Sequence, residues 1–338
     1  MLFPKGGEQM KRTIEIGRNI CGTVWLAPMA GMTDRTFRQI CRAHGAEYVT
    51  TEMVSAKAVC YHDRKTNALA AITPEEGPTA VQIFGSEPET MARAASLLLE
   101  FYAKSGVTPA AIDVNMGCPM QKVVKCGDGS ALMKTPALAG EIIAALVRVC
   151  GDVPVTAKLR LGWDDASINV VEMAKILEQN GVSALCIHAR TREEMYAPGV
   201  RPAFIRAVKE AVRVPVIGNG DIFSAADAET MIRETGCDGI AVARGALGNP
   251  WLFSELLAAR DGTAFSPPSK REKISVALEH FRGMIEEKGE RTAVAESRAA
   301  IAYYTKNMAG AARVRGAMNS AATADEIIAI LSEFAEEA

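Results

Sequence analysis

The sequence predicts an α/β protein, a (β/α)8 TIM barrel followed by a small C-terminal all-α helical domain. Three observations carry this. Eight short apolar runs alternate with longer helical patterns over the first 260 residues, and such alternation gives parallel strands. Eight units over that length fit a closed barrel, and the runs lack polar alternation, as expected of strands buried on both faces. Near residue 260 the composition shifts: 261–269 is rich in Pro, Ser and Gly, and all that follows is helical in pattern. The expected division is a catalytic barrel over 1–260, a linker over 261–269 and a helical domain over 270–338.

In chain order, residues 12–23 read as a hairpin turning at Gly17, placed as a plug under the barrel. The barrel strands are expected at 24–27, 47–51, 80–84, 111–114, 155–159, 184–187, 214–217 and 239–242. Helices are expected at 35–44, 89–104, 138–150, 168–180, 203–212 and 225–234, with a helix and an irregular loop over 55–77. Beyond the linker the pattern predicts helices at 270–287, 292–308, 311–318 and 323–336.

Composition narrows the function. The 338 residues are 49% hydrophobic and 23% charged, which excludes a disordered or fibrous chain. With 38 Lys and Arg against 40 Asp and Glu the net charge is −2, so a strongly basic binder is excluded but a basic patch is not. Residues 259–320 hold 11 basic and 7 acidic side chains, whereas 321–338 hold five acidic and no basic ones. The eight cysteines form no CxxC pair, arguing against a disulfide scaffold or a zinc ribbon and for reduced thiols in a cytoplasm. No metal site is expected, no signal peptide is visible at the start, and no run approaches the roughly 18 apolar residues a membrane helix requires.

In a barrel of this kind, catalytic groups sit at the C-terminal ends of the strands. Those ends carry Pro28-Met29-Ala30-Gly31, Gln82, Asn115-Met116-Gly117-Cys118, Lys158 with Arg160, His188-Ala189-Arg190, Gly218-Asn219-Gly220-Asp221 and Ala243-Arg244-Gly245. Polar groups from at least six strands thus converge on one mouth, which points to an enzyme. The glycine-bearing loops after the seventh and eighth strands are adjacent, and such a pair forms a phosphate site, with Arg244 as a bidentate partner. Lys158 lies in an otherwise apolar strand; an unpaired buried ammonium is costly, so it should meet an anion in the mouth. Gln82 either bonds a planar heterocycle or satisfies neighbouring backbone, and His188 either faces the mouth or is only locally bonded. Cys118, in a polar loop, is a candidate nucleophile or acid, with Cys126 its rival in the same loop.

Seven segments in order, LAPMAGMTDRTFR (26–38), VQIFG (81–85), DVNMGCP (113–119), KLRLGW (158–163), IHARTR (187–192), IGNGDI (217–222) and ARGALGNPW (243–251), resemble the tRNA-dihydrouridine synthase family, in its bacterial B-like branch. The resemblance implies FMN in the barrel, NADPH (or NADH) as electron donor, and tRNA gripped by the helical domain. It implies that Pro28, Met29 and Ala30 line the flavin, that Gln82 and Lys158 bond its ring with His188 nearby, and that Asn219, Gly220, Asp221, Ala243 and Arg244 hold its phosphate. Hydride would pass to C6 of a flipped-out uracil and Cys118 would protonate C5. Asn115, Arg190 and Arg192 would shape the uridine site, and Arg298, Lys306, Arg313 and Arg315 would meet RNA phosphates. Two departures stand out: Arg298-Ala299-Ala300 replaces an Arg-Lys-His run common in relatives, and Ala243 replaces a glycine. The alternative is an FMN-dependent barrel dehydrogenase acting on a free pyrimidine or other small molecule, which would not need the helical appendage. A non-catalytic RNA-binding barrel would not need both Cys118 and Lys158. A cytoplasmic monomer is expected, with no membrane partner.

Overall fold

The computed structural model describes residues 11–337, so the N-terminal stretch read for a leader lies largely outside the described residues. An antiparallel hairpin opens it: β1 (Thr13–Ile16) pairs with β2 (Asn19–Gly22) around Gly17, at φ +58°. There follow β3 (Val24–Leu26), β4 (Tyr48–Thr50), β5 (Val54–Ser55), β6 (Thr79–Phe84), β7 (Ala111–Met116), β8 (Val155–Arg160), β9 (Ala184–His188), β10 (Val216–Asn219) and β11 (Gly239–Val242). All pairings among β3–β11 are parallel, and β11 pairs back onto β3, which closes the barrel. β4 and β5 are two pieces of one stave: β4 pairs with the start of β6 and β5 with its end. The hairpin plugs the bottom as expected, with Ile14, Ile16 and Cys21 packed against Trp25, Tyr48, Ala184 and Ile217. No helix among the described residues is long and apolar enough to cross a membrane.

Several boundaries differ from expectation. The seventh barrel strand runs Val216–Asn219, not 214–217, since Pro215 has no N–H to give a ladder and contributes only its carbonyl, to Leu185 N. That shift brings Asn219 into the barrel wall beside His188. The 55–77 region holds two short helices, Ala56–Cys60 and Arg64–Leu69, and a tight turn at Pro74–Glu76. An eighth outer helix, Trp251–Asp261, was absent from the sequence-based expectation because the motif at 243–251 and the compositional break at 260 left it no visible start. It ends at Gly262, in the left-handed region at φ +70°.

The helical region packs Ile274, Phe281, Met284, Ile301, Tyr304, Ile327 and Phe334 into a core of its own, joined by Trp251 from the last barrel helix. Its second expected helix breaks: Glu290–Ala300 is α-helical, Ile301–Thr305 tightens to a 3-10 turn, and Asn307 is left-handed at φ +63°. Ile301, Tyr304 and Thr305 are buried there at the helical spacing, so the apolar pattern runs on through the break. The region docks onto the first barrel helix, Arg35–Ala43. Asp34, which caps that helix through Phe37 N at 2.9 Å, also meets Lys288 Nζ at 2.7 Å and His280 Nε2 at 3.3 Å.

Candidate active site

The parallel register sets the floor of the mouth. It places Gln82 beside Asp113, Asn115 beside Lys158, Arg160 beside His188, and Asn219 beside both His188 and Ala241. Alternation along each strand then sends Gln82, Asp113, Lys158 and Asn219 inward, above the apolar plug. Lys158 Nζ donates to Asn219 Oδ1 at 3.0 Å, and Asn219 Nδ2 donates to the Ala241 carbonyl at 2.7 Å. Burial lowers the Lys158 pKa, and no carboxylate bonds it directly. An ammonium with one neutral partner and spare protons, at the top of a barrel, is built to receive a ligand's electron-rich edge.

His188 is held neutral. Burial first, then the charges of Lys158, Arg160, Arg190 and Arg244, keep its pKa well below the usual imidazole value. Arg190 Nη1 lies 3.2 Å from His188 Nε2, and a guanidinium can only donate, so Nε2 carries the lone pair and Nδ1 the proton.

The loops after β10 and β11 touch. A Cβ added to Gly245 would sit 2.2 Å from the Ile222 carbonyl oxygen, so only glycine allows this approach. Gly220 and Asp221 both have positive φ, +129° and +48°, which turns successive backbone groups toward the mouth side of the loop. Arg244 Nη2 bonds Asp221 Oδ1 at 2.8 Å, and Arg190 bonds the other oxygen. Asp221 therefore faces two cations, while Arg244 remains partly exposed and stacks near Tyr196 at 5.0 Å. This cradle suits an anion: backbone N–H groups in a glycine loop and one accessible guanidinium. Pro28, Met29 and Ala30 sit on the same rim, in a loop closed by Thr33 on Met29 and anchored by Gly31 N to Glu52 Oε2 at 2.6 Å.

Cys118 is half-buried in the loop after β7. Its N–H donates to Asn115 Oδ1 at 2.8 Å, and its carbonyl accepts from Ser130 N and Oγ at 3.1 and 2.9 Å. Arg160, buried at 2% exposure, clamps the loop through the Gly117 carbonyl at 2.8 Å and also grips Thr191 and Met195. Burial pushes the Cys118 thiol above its usual value, so it stays protonated at neutral pH, as a proton donor must. Cys126 is exposed, and it lines a separate cavity of about 260 Å³ with Lys57, Phe84, Ser86 and Lys122; Cys118 is not among the walls.

Two of the residues expected at the uridine site, Arg190 and Asn115, are buried. Arg190 is fully buried and spends its donors on His188, Asp221 and the Ala197 carbonyl, so it props the loop after β10 from inside. Asn115, buried at 7%, orders the Cys118 loop. Arg192 is partly exposed and lies 4.6 Å from the Trp163 ring, which Lys134 covers at 3.5 Å. On the helical region Arg298 and Lys306 are exposed, Arg315 is partly so, and exposed Arg313 pairs with Glu337 of the acidic tail. Sequence reasoning noted Arg160 without giving it a role and passed over Asp113 and Glu52. Lys158 and Arg160 lie two apart, so the strand period puts both on the inner side, which was the available signal.

A family model described as dihydrouridine synthase matches residues 25–338. A probable tRNA-dihydrouridine synthase of Rickettsia conorii is 39% identical over 308 residues, 90% of each chain. tRNA-dihydrouridine synthase B of Pseudomonas aeruginosa is 39% identical over 313 residues, 92% of each. Among solved structures, histamine dehydrogenase from Rhizobium sp. 4-9 superposes with a TM-score of 0.53 at 14% identity, covering 80% of this chain and 50% of that one. 6-Hydroxypseudooxynicotine amine oxidase from Pseudomonas geniculata gives 0.57 at 14% identity, covering 74% and 49%. The chain thus spans about half of each of those longer proteins, and at that identity the likeness concerns the barrel fold alone.

Proposed function

The chain belongs to the dihydrouridine synthase family, and we propose that it reduces uridines in tRNA to 5,6-dihydrouridine, holding flavin mononucleotide in the barrel mouth and drawing electrons from NADPH. The observation that carries this is one mouth holding both a partly buried lysine with a single neutral side-chain partner and a half-buried thiol. Flavin mononucleotide fits the residues present. Its ring carries carbonyls and ring nitrogens along one edge, which Lys158 and Gln82 would meet with donors. Its phosphate would take Arg244 and the backbone of Gly220, Asp221 and Ala243. Pro28, Met29 and Ala30 offer the apolar rim. Bound and reduced, the flavin supplies a hydride to C6 of the base.

The protein's own residues do the rest. Lys158 stabilises negative charge at the ring edge. His188, held neutral, adds no competing cation. Arg160 and Asn115 fix the loop that carries Cys118, whose thiol keeps its proton until C5 of the base takes it up. The base must leave its stack to reach that thiol, so RNA has to be gripped beyond the mouth. We assign that grip to the helical region, over 270–338 after a 262–269 linker, with Arg298, Lys306 and Arg315 available at its surface and Arg192 at the rim. Nucleoside mass spectrometry of tRNA from cells lacking this gene, with and without the plasmid-borne chain, tests the assignment. Loss and return of dihydrouridine at particular positions is expected; unchanged tRNA would overturn it.

A further inference from the structure

The floor of the mouth carries a chain of hydrogen bonds whose direction is set at both ends. At one end the backbone N–H groups of Gly117 and Cys118 point at Asn115 Oδ1, at 3.2 and 2.8 Å. Backbone nitrogen can only donate, so the Asn115 amide must turn its own nitrogen the other way. That nitrogen donates to Gln82 Oε1 at 2.8 Å. Gln82 must then turn its nitrogen onward, and Nε2 donates to Asp113 Oδ2 at 2.7 Å. Asp113 Oδ1 takes a last donor, Thr156 Oγ1, at 2.6 Å. Every bond in the chain points toward one carboxylate, which is 6% exposed, and Gln82 beside it is 1% exposed. Each amide nitrogen keeps a second N–H with no protein acceptor among the described residues.

We propose that Asp113 is a positioning residue: as the acceptor that ends the chain it holds the Gln82 amide in the direction that the Gly117 and Cys118 N–H groups impose through Asn115, so that the floor presents N–H groups, and not carbonyls, to the bound flavin. The proposal rests on the flavin assignment. Without an acceptor at 113, the direction of the Gln82 amide rests on the single bond from Asn115, and rotation would set its carbonyl against the carbonyls of the flavin ring. Asparagine at 113 can still serve, because its carbonyl can face Gln82 while its nitrogen donates to Thr156 Oγ1, which also accepts. Asp113→Leu removes the acceptor at similar volume.

The test titrates full-length apoprotein with FMN and follows flavin fluorescence and the absorption spectrum of the bound form. Asp113→Leu should weaken FMN binding by about tenfold to a hundredfold and shift the bound spectrum, while Asp113→Asn should stay within about threefold of the parent. In a Gln82→Met background, Asp113→Leu should add no further loss, because its effect passes through Gln82. If leucine prevents folding, judged by thermal melting, Asp113→Ala replaces it in the same cycle. Parental affinity in Asp113→Leu, additive losses with Gln82→Met, or an equal loss in Asp113→Asn would each overturn the positioning role while leaving the flavin assignment standing. A parent chain that does not bind FMN would overturn both.

Discussion

Replacing Cys118 by alanine removes one sulfur atom and leaves the backbone that holds the loop. The bonds from Cys118 N to Asn115 and from Ser130 to the Cys118 carbonyl involve no side-chain atom of residue 118, so the loop should keep its place. The site is half-buried, so the cavity left behind is small and the melting midpoint should move by no more than about 3 °C. The effect belongs to the chemistry. Loss of a general acid typically lowers the rate by about 10²- to 10⁴-fold, which is roughly 3–5 kcal/mol of barrier. Partial exposure lets water take the acid's place, so the lower half of that range, about 10²- to 10³-fold, is expected here. The assay has two readings: flavin reduction by NADPH in a stopped-flow instrument, which should be unchanged, and dihydrouridine formed on tRNA from pre-reduced enzyme, which should collapse. Cys126→Ala, exposed and facing another cavity, should alter the second rate by no more than about twofold. In the parent, burial holds the Cys118 thiol above its usual pKa, so the tRNA step should be flat through neutral pH and fall only in alkaline buffer. A Cys118→Ala enzyme that makes dihydrouridine at the parent rate, or a Cys126→Ala enzyme that loses it instead, would refute the assignment.

Gly245→Ala should abolish tight FMN binding, because its Cβ would fall 2.2 Å from the Ile222 carbonyl oxygen and force the two phosphate-side loops apart; equilibrium dialysis against FMN reads this. Asp34→Asn keeps a competent helix cap but loses the charge that meets His280 and Lys288, and since Lys288 retains Glu296, the stability loss should be about 1–2 kcal/mol. Burial alone would raise the Asp34 carboxyl; His280 and Lys288 overturn that and hold it far below its unfolded value near ~3.9. Its contribution is therefore complete above that value and fades as pH falls below it, so urea melts of parent and variant should converge in acid, and a constant gap would contradict the pairing. Lys306→Glu should weaken tRNA binding broadly and lower the slope of log affinity against log salt by about 1, with flavin reduction unaltered; Arg313→Glu, already neutralised by Glu337, should do less. Filter binding at low and physiological salt decides, and parental behaviour in both variants would move the RNA surface elsewhere. Truncation is a poorer test, because removing the helical region also strips Asp34 of His280 and Lys288.

The barrel was legible because each of its strands is a short apolar run followed by a helix, and the polar residues at the ends of those runs, such as Gln82, Lys158, His188 and Arg244, interrupt an apolar pattern. Features that depend on pairing were not. The shift of β10 that puts Asn219 in the wall follows from Pro215, whose missing N–H could have been weighed. The resemblance gave Arg190 of IHARTR to the uridine site, and only the positions of Asp221 and His188 show that its charge is satisfied inside. Asp113 sat within a strand motif, and its role emerges from the register that sets it beside Gln82 and Thr156. The break after Ala300 was hidden because Ile301 and Tyr304 keep the helical spacing of buried residues across it.

In the proposed reaction one barrel mouth brings a flavin and the Cys118 proton to a uridine of tRNA. The direct measurement is a single turnover: anaerobic enzyme, its FMN fully reduced, mixed with unmodified tRNA transcript, with flavin absorbance and dihydrouridine by mass spectrometry followed together. Flavin reoxidation and dihydrouridine should appear at the same rate and in equal amounts in the parent, and both should slow together in Cys118→Ala. Reoxidation by a free pyrimidine but not by tRNA, or reoxidation without dihydrouridine, would contradict it.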